Sequence, residues 1–334
     1  VSITVLKPGL HTMLQDSGRH GHQHFGVPVG GAMDLFSHRI ANIVAGNRHD
    51  LATLEIMLQG PHLAFSDHAL IAICGADLSP TIAGEPVPEG KAVRVRAGSV
   101  LEFGACRAGC RGYLAVNGGF DVPMVMGSRS TYEPARFGGL EGRALAKGDK
   151  LETGIASPDL YPGLTSELEH SRKAFACPKW SVNQHIEKLD RVPQVVRIVP
   201  GRHWEHFTAE SLERLTSSVF RIAPESNRMG FRLQGSSLAL EKPFDMLSEA
   251  VSFGTIQVPP GGQPIVLMAD RQTTGGYPRI AEVASVDLHL LAQLRPGDGV
   301  RFELVSLAQA QALHLCREQE MVTIREAVEQ HMTL

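Results

Sequence analysis

The sequence predicts an all-β class, mainly strands with a few helices, arranged as two related β domains. Three observations carry that expectation. Gly and Pro are frequent, 34 and 20 of 334 residues, while aromatic residues reach only 6%, a composition of turns and short strands. Short segments alternate apolar and polar residues between turn signals. One unit, a small turn feeding an alternating strand, recurs early and late, as Ala97-Gly-Ser-Val-Leu-Glu-Phe103, Lys147-Gly-Asp-Lys-Leu-Glu-Thr153 and Pro296-Gly-Asp-Gly-Val-Arg-Phe302.

Taken in order, strands are expected at Ile3–Leu6, Ala69–Ile73, Val93–Val95, Val100–Phe103, Val195–Val199, Ile265–Met268 and Val300–Val305. Asp34 can cap a helix whose Phe36, Ile40, Ile43 and Val44 share one face, with Gly46 as its stop. Residues 157–193 are polar, mixed and without alternation, and read as a linker or surface excursion between domains at 1–156 and 194–305. Ser306-Leu-Ala-Gln309 is a capping box opening a C-terminal helix over 306–334. Leu313, Arg317, Met321, Ile324 and Val328 follow at helical spacing.

Hydrophobic residues at 43% and charged residues at 20% suit a globular chain. With 32 Lys+Arg against 35 Asp+Glu the net charge is −3, which lacks the basic surplus of a nucleic-acid protein. No apolar run approaches a membrane span, and the opening VSITVLKPG lacks a signal peptide's charged and apolar regions, so the expected location is the cytoplasm. The five cysteines are scattered and suggest no disulfide framework.

Two motifs are decoys. Gly84-Glu-Pro-Val-Pro-Glu-Gly90-Lys91-Ala92 resembles a P-loop, but prolines remove the N–H groups of a phosphate cradle and Ala stands where a magnesium-binding hydroxyl belongs. His20, His22 and His24 would share one face of a strand, yet a solvated, glycine-flanked loop accounts for them better than a metal site. No metal ligand set is expected.

The densest polar information lies between Ser226 and Arg279. An apolar strand, Ile265–Met268, runs straight into Asp270, Gln272, Thr273, Thr274 and Tyr277, as when a rigid strand delivers functional groups to a site at its end. Arg228 or Arg232 could grip a carboxylate through a planar fork. Gln257, Gln263 and Gln272 match an amide, Asp270 could act as base, and Thr273, Thr274 and Tyr277 could steady an oxyanion. A structural ion pair between Arg228 and Asp270 accounts for those two residues equally well.

SNRMGFRLQG (226–235), QPIVLMADRQTTGGYPRI (263–280) and AQLRPGDGVRF (292–302) resemble signature stretches of the allophanate-hydrolase-subunit-2 family, also described as biotin-dependent carboxyltransferase-like. LQDSGRHG (14–21), VPVGGAMD (27–34), RIANIVAGN (39–47), LEIMLQGP (54–61), GYLAVNGGFDVPMVMGSRST (112–131) and GGLEGRALAKGD (138–149) extend the likeness over most of the chain. The family includes a subunit of 5-oxoprolinase, an antagonist of a sporulation kinase inhibitor, and the carboxyltransferase part of urea carboxylase.

The resemblance implies two cyclophilin-like β-barrel domains. It also implies ATP-dependent opening of the lactam of 5-oxo-L-proline to L-glutamate, in a heteromeric complex with subunits A and B. ATP and Mg²⁺ would serve that complex, with the interface between subunits as one place for them, ATP activating the amide oxygen. No biotin-attachment motif of the Ala-Met-Lys-Met type is present, so no covalent biotin is expected. The catalytic residues it implies are Asp270, Gln272, Thr273, Thr274 and Tyr277. Arg228, Gln257, Gln263, Gln15, Asp16, Arg19, Ser128 and Ser130 would bind substrate. The alternatives are a carboxyltransferase component acting on urea or a related amide, and a non-catalytic partner of a kinase-inhibitor-like protein.

Overall fold

The computed structural model describes residues 1–157, 160–184, 193–243 and 246–332. These fall into two compact units, the first drawn from Val1–Gly18, Asp34–Ile186 and Glu320–Leu334, the second from Arg19–Met33 and Glu187–Gln319. The fold is mainly β, as the turn-rich composition predicts.

In the first unit the strands form two six-stranded antiparallel sheets. One places Ser2–Lys7 between Lys150–Glu152 and His62–Phe65, and the other is centred on Ala69–Asp77 and Ala108–Val116. Ile3, Val5, Leu63, Phe65, Ile71, Ile73 and Leu114 belong to one buried core, the inward halves of alternating strands. The helix Leu35–Val44 packs on the second sheet. Asp34 caps it, accepting the Ser37 N–H at 2.9 Å and the Ser37 hydroxyl at 2.7 Å.

Residues 160–184 carry the helix Pro162–Glu169 and the strand Phe175–Ala176, which pairs with Ala92–Val95 at the edge of that sheet. Residues 158, 159 and 185–192 of the expected linker lie outside the described residues.

The second unit closes into a seven-stranded barrel in the order Gln194–Pro200, Arg279–Val283, Thr255–Gln257, Ile265–Leu267, Gly230–Gln234, Phe220–Ile222 and Gly299–Leu304. The pairing that joins the last strand to the first is parallel, and the others are antiparallel. Val196, Ile198, Phe231, Leu233, Ile256, Val266, Ile280 and Phe302 fill it. Closure removes every free strand edge, so the barrel wall can hold side chains at set positions.

The recurring turn is one device used three times. Gly98, Gly148 and Gly297 have φ of 79°, 92° and 92°, a left-handed conformation that glycine adopts without a Cβ penalty. Each donates its N–H at 2.8 Å to a carbonyl of another segment, Phe65, Val5 and Ile222 respectively. In the second and third copies the following aspartate, Asp149 or Asp298, also accepts the N–H three residues back, at 2.7 and 2.8 Å.

The C-terminal helix spans Leu307–Met332. Its capping box is formed, with Gln309 N–H donating to Ser306 Oγ at 3.2 Å and Ser306 N–H to Gln309 Oε1 at 2.8 Å. Met321 and Val328 are buried and Leu313, Arg317 and Ile324 half-buried, so the expected stripe is the covered one. No helix among the described residues is long and apolar enough to cross a membrane.

Candidate functional site in the barrel unit

Strand register spreads the polar stretch of residues 226–279 along the barrel wall. At one end, Arg232 and Gln257 both stand opposite Ile265, and Gln257 stands opposite Arg279. At the other, Gly230 stands opposite Leu267, and the chain continues through Met268 to Asp270. There Met268 N–H reaches the Met229 carbonyl at 3.0 Å and Asp270 N–H reaches the Arg228 carbonyl at 2.8 Å.

That backbone pairing sets Arg228 and Asp270 side by side. Arg228 Nε donates to Asp270 Oδ2 at 2.7 Å and Nη2 to Oδ1 at 3.0 Å, a two-pronged pair with side chains 12% and 6% exposed. Nη2 also donates to the Gly31 carbonyl at 2.6 Å. Gly30 and Gly31 have φ of 65° and 88°, and a Cβ at Gly30 would stand 3.5 Å from Asp270 Oδ1. The Gly-Gly pair therefore lets the 27–33 segment pass close over the ion pair.

Of the two readings open for Arg228, a grip on a substrate carboxylate or an ion pair with Asp270, the ion pair is formed and occupies the Nε/Nη2 edge. Both carboxylate oxygens of Asp270, expected to act as a base, accept from that same guanidinium. The pair is a clamp that positions its neighbours.

At the opposite end, Gln257 is 1% exposed and its Nε2 donates to the Tyr277 carbonyl at 3.3 Å. Gly275 lies so close that a Cβ there would collide with Gln257 Nε2. Gln257 thus braces the 273–278 segment, where Thr274–Gly275 pairs with Glu249–Ala250. Gln263 is engaged similarly, accepting the Gly235 N–H at 2.9 Å and donating to its carbonyl at 3.2 Å. By contrast, among the described residues the side chains of Gln272, Thr273, Thr274 and Tyr277 make no hydrogen bond or ion pair within the protein, and Tyr277 is 43% exposed. This segment offers one amide and three hydroxyls to a ligand.

Around it lie perturbed charges. Arg279 pairs with Glu249 and donates to the Ala250 carbonyl at 3.0 Å. Burial, reinforced by Arg279, pushes the His203 imidazole below its ordinary pKa, and His203 Nδ1 accepts the Arg279 N–H at 3.1 Å. Burial also raises Glu282, which accepts from Thr255 Oγ1 at 2.8 Å and Ser252 Oγ at 3.0 Å.

A cavity of about 510 Å³ opens beside Tyr277, lined by Leu238, Leu240, Pro243, Val258 and Pro259 among others, with no charged side chain among the described lining residues. A smaller one, about 300 Å³, lies along the strand carrying Arg232.

The residues expected from the first part of the chain are placed differently. Gln15, Asp16, Ser128 and Ser130 belong to the first unit, and Arg19 to the second. The Asp16 carboxylate accepts four donors: Ser128 Oγ at 2.7 Å, Ser130 Oγ at 2.5 Å, Gly18 N–H at 2.9 Å and Arg129 N–H at 2.5 Å. A carboxylate with four donors ties together the loops that carry Ser128, Arg129 and Ser130, of which the two serines are expected to bind substrate beside it. Gln15 is fully buried and donates to the Thr131 carbonyl at 3.1 Å. Arg19 is 1% exposed and its N–H donates to the Val29 carbonyl at 2.6 Å.

The histidine run follows no strand. Gln23–Phe25 is a short 3₁₀ turn, so His20, His22 and His24 lose the alternation that would align them. Among the described residues no group of three or more His, Cys, Asp or Glu could hold a metal ion. Gly84–Ala92 holds half of a tight hairpin, Thr81–Ile82 with Glu85–Pro86, and no helix follows it to complete a phosphate cradle.

Sequence reasoning missed Gly31 as a partner of Arg228, and Glu225 in the smaller cavity. The first is a backbone contact across 197 positions and leaves no side-chain signal. The second lies one residue before the 226–235 stretch, where a lone acid beside a turn is commonplace.

Residues 25–304 match the family described as carboxyltransferase domain, subdomain A and B. The chain is 36% identical to the 5-oxoprolinase C subunit of Haemophilus influenzae over 334 residues, covering 98% of this chain and 99% of that one. It is 31% identical to urea amidolyase of Saccharomyces cerevisiae, covering 97% of this chain and 18% of that protein. The crystal structure of Kluyveromyces lactis urea amidolyase superposes with a TM-score of 0.83 at 30% identity, covering 97% of this chain and 20% of that one. The chain therefore spans about a fifth of the urea-processing relatives' length.

Proposed function

Since the chain belongs to the carboxyltransferase-domain family, subdomains A and B, we propose that it is the C subunit of an ATP-dependent 5-oxoprolinase. With subunits A and B it would open the lactam of 5-oxo-L-proline to L-glutamate. The observation that carries this reading is the end-to-end match, 98% of this chain against 99% of a protein named as the C subunit of a 5-oxoprolinase. A relative named as a subunit also accounts for a barrel whose unengaged groups face outward, where other subunits can complete the site.

Lactam opening must break amide resonance and stabilise negative charge on the carbonyl oxygen. In this reading the hydroxyls of Thr273, Thr274 and Tyr277 and the amide of Gln272 supply donors to that oxygen. Gln257 holds their segment in place through the Tyr277 carbonyl. The Arg228–Asp270 clamp fixes the strand end from which the segment departs.

The described residues offer neither a loop-to-helix phosphate cradle nor a metal ligand group. In this reading ATP and Mg²⁺ belong to the assembled complex, and no step here runs through the nucleotide.

The test is glutamate formation from 5-oxo-L-proline and ATP with this protein and subunits A and B, each omitted in turn. Activity that needs all three is the expected outcome. Binding of B without glutamate would remove the lactam assignment. The likeness to urea amidolyase favours a second reading, a carboxyltransferase component acting on urea or a related amide. Carboxyl transfer from a carboxybiotin-bearing protein in the absence of lactam opening would select it.

A further inference from the structure

We propose that Arg232, not Arg228, receives the carboxylate of a small lactam acid, and that Glu225 accepts the ring N–H beside it. This rests on the 5-oxoprolinase reading and assigns the substrate's acid end an anchoring site next to the cavity beside Tyr277, with which this one shares Pro259 in its lining. The carboxylate of 5-oxoproline and its lactam N–H stand on adjacent ring atoms, so one small cavity must present a cation and an acceptor close together. The 300 Å³ cavity along the Gly230–Gln234 strand does so, with Arg232 and Glu225 both in its lining.

Strand alternation explains why Arg232 points there. Phe231 and Leu233 are 2% and 1% exposed in the barrel core, so the residue between them faces outward. Its backbone is held on both sides. Arg232 N–H donates to Ser226 Oγ at 3.1 Å, and the Arg232 carbonyl accepts the Ala223 N–H at 2.8 Å. That second bond also anchors the segment leading to Glu225. The facing wall is fixed by Gln263, doubly bonded to Gly235, and by the Leu233 N–H donating to the Pro264 carbonyl at 2.9 Å. The backbone around the cavity is therefore fixed, while the Arg232 and Glu225 side chains at its rim are exposed.

Within it the charges are unspent. Among the described residues neither the Arg232 guanidinium nor the Glu225 carboxylate has an ion-pair or hydrogen-bond partner, although both line the same space. A ligand carrying a carboxylate next to an N–H satisfies both at once. Arg228 cannot serve in this way, because Asp270 and the Gly31 carbonyl fill its fork. The larger cavity beside Tyr277 has no charged side chain among its described lining residues and offers a small acid no partner. At about 300 Å³ the chosen cavity lies at the small end for ligand pockets, as a single five-membered ring requires.

The experiment is steady-state kinetics of the assembled complex with Arg232→Ala, Arg232→Lys and Glu225→Gln. Arg232→Ala should raise KM for 5-oxo-L-proline roughly tenfold or more, with kcat changed far less. Arg232→Lys should fall between, since a point charge lacks the fork. Inhibition by 2-pyrrolidinone, the same lactam without a carboxylate, should be equal for wild type and Arg232→Ala. An unchanged KM for Arg232→Ala in an active complex overturns the assignment and leaves the 5-oxoprolinase reading standing. If the wild-type complex makes no glutamate, that reading falls, and calorimetric titration of the full chain with 5-oxo-L-proline decides the cavity alone. Binding lost in Arg232→Ala then supports it, and absent or unchanged binding overturns it.

Discussion

Arg228 and Asp270 hold each other twice over, by Nε to Oδ2 at 2.7 Å and Nη2 to Oδ1 at 3.0 Å, while the Asp270 N–H binds the Arg228 carbonyl at 2.8 Å. Side chain and backbone thus bind the same two residues. Removing one charge strands the other in a nearly dry place, which costs about 3–5 kcal/mol. Asp270→Ala should therefore lower the urea midpoint strongly, and Arg228→Met with Asp270→Leu should recover most of that loss. A single variant of wild-type stability would show that water already screens the pair.

The Asp16 hub makes a contrasting forecast. Ser130 Oγ both donates to Asp16 Oδ1 at 2.5 Å and accepts the Asp16 N–H at 2.9 Å, inside the first unit's core. Ser130→Ala should cost about 1–3 kcal/mol, the usual penalty for a buried group left unpaired. KM measured on the folded fraction should not move. A KM rise without loss of stability would restore the substrate role to this cluster.

His38 makes stability depend on acid. It is fully buried, its Nδ1 meets Thr53 Oγ1 at 2.9 Å, and burial lowers its pKa from 6.5 to about 4 against the opposing pull of Asp16 and Glu55. The folded protein keeps the ring neutral while the unfolded chain takes up a proton below pH 6.5. Stability should therefore fall as pH drops from 6.5 to 4, by as much as about 3 kcal/mol. Denaturation midpoints across that range should be flatter for His38→Gln, and an equal slope would refute the assignment.

Glu89 acts with the opposite sign. Burial, aided by the Asp77 charge, raises its carboxyl from 4.5 to about 8. The folded state keeps a proton that the unfolded state releases above pH 4.5, so stability drains away as pH rises toward 8. Glu89→Gln should gain about 2 kcal/mol at pH 8 and little at pH 4, as read from thermal midpoints. Equal gains at both would point to packing in place of charge.

Much of the architecture is legible because local chemistry specifies it. The Asp34 cap, the Ser306–Gln309 box, the seven expected strands and the thrice-used glycine turn each depend on a few neighbouring residues. Chain periodicity also marks the covered stripe of the last helix. The family likeness is equally local, since it lies in contiguous stretches such as 226–235 and 263–280.

The sequence by itself thus determined a mainly β chain, seven of its strands, the helices at Leu35–Val44 and Leu307–Met332 and its family, while the helix and paired strand within 160–184 left no local signal. Only tertiary structure decided which of the candidate groups are engaged and which remain available. Arg228 and Arg232 stand four apart in one stretch and look interchangeable there. Barrel register sends the first to Asp270 and Gly31 and the second to an open cavity wall. Likewise Asp16, Ser128 and Ser130 carry binding chemistry as residue types, and folding consumes it among themselves. A side chain's type follows from its codon, but its free valence depends on partners brought from far along the chain.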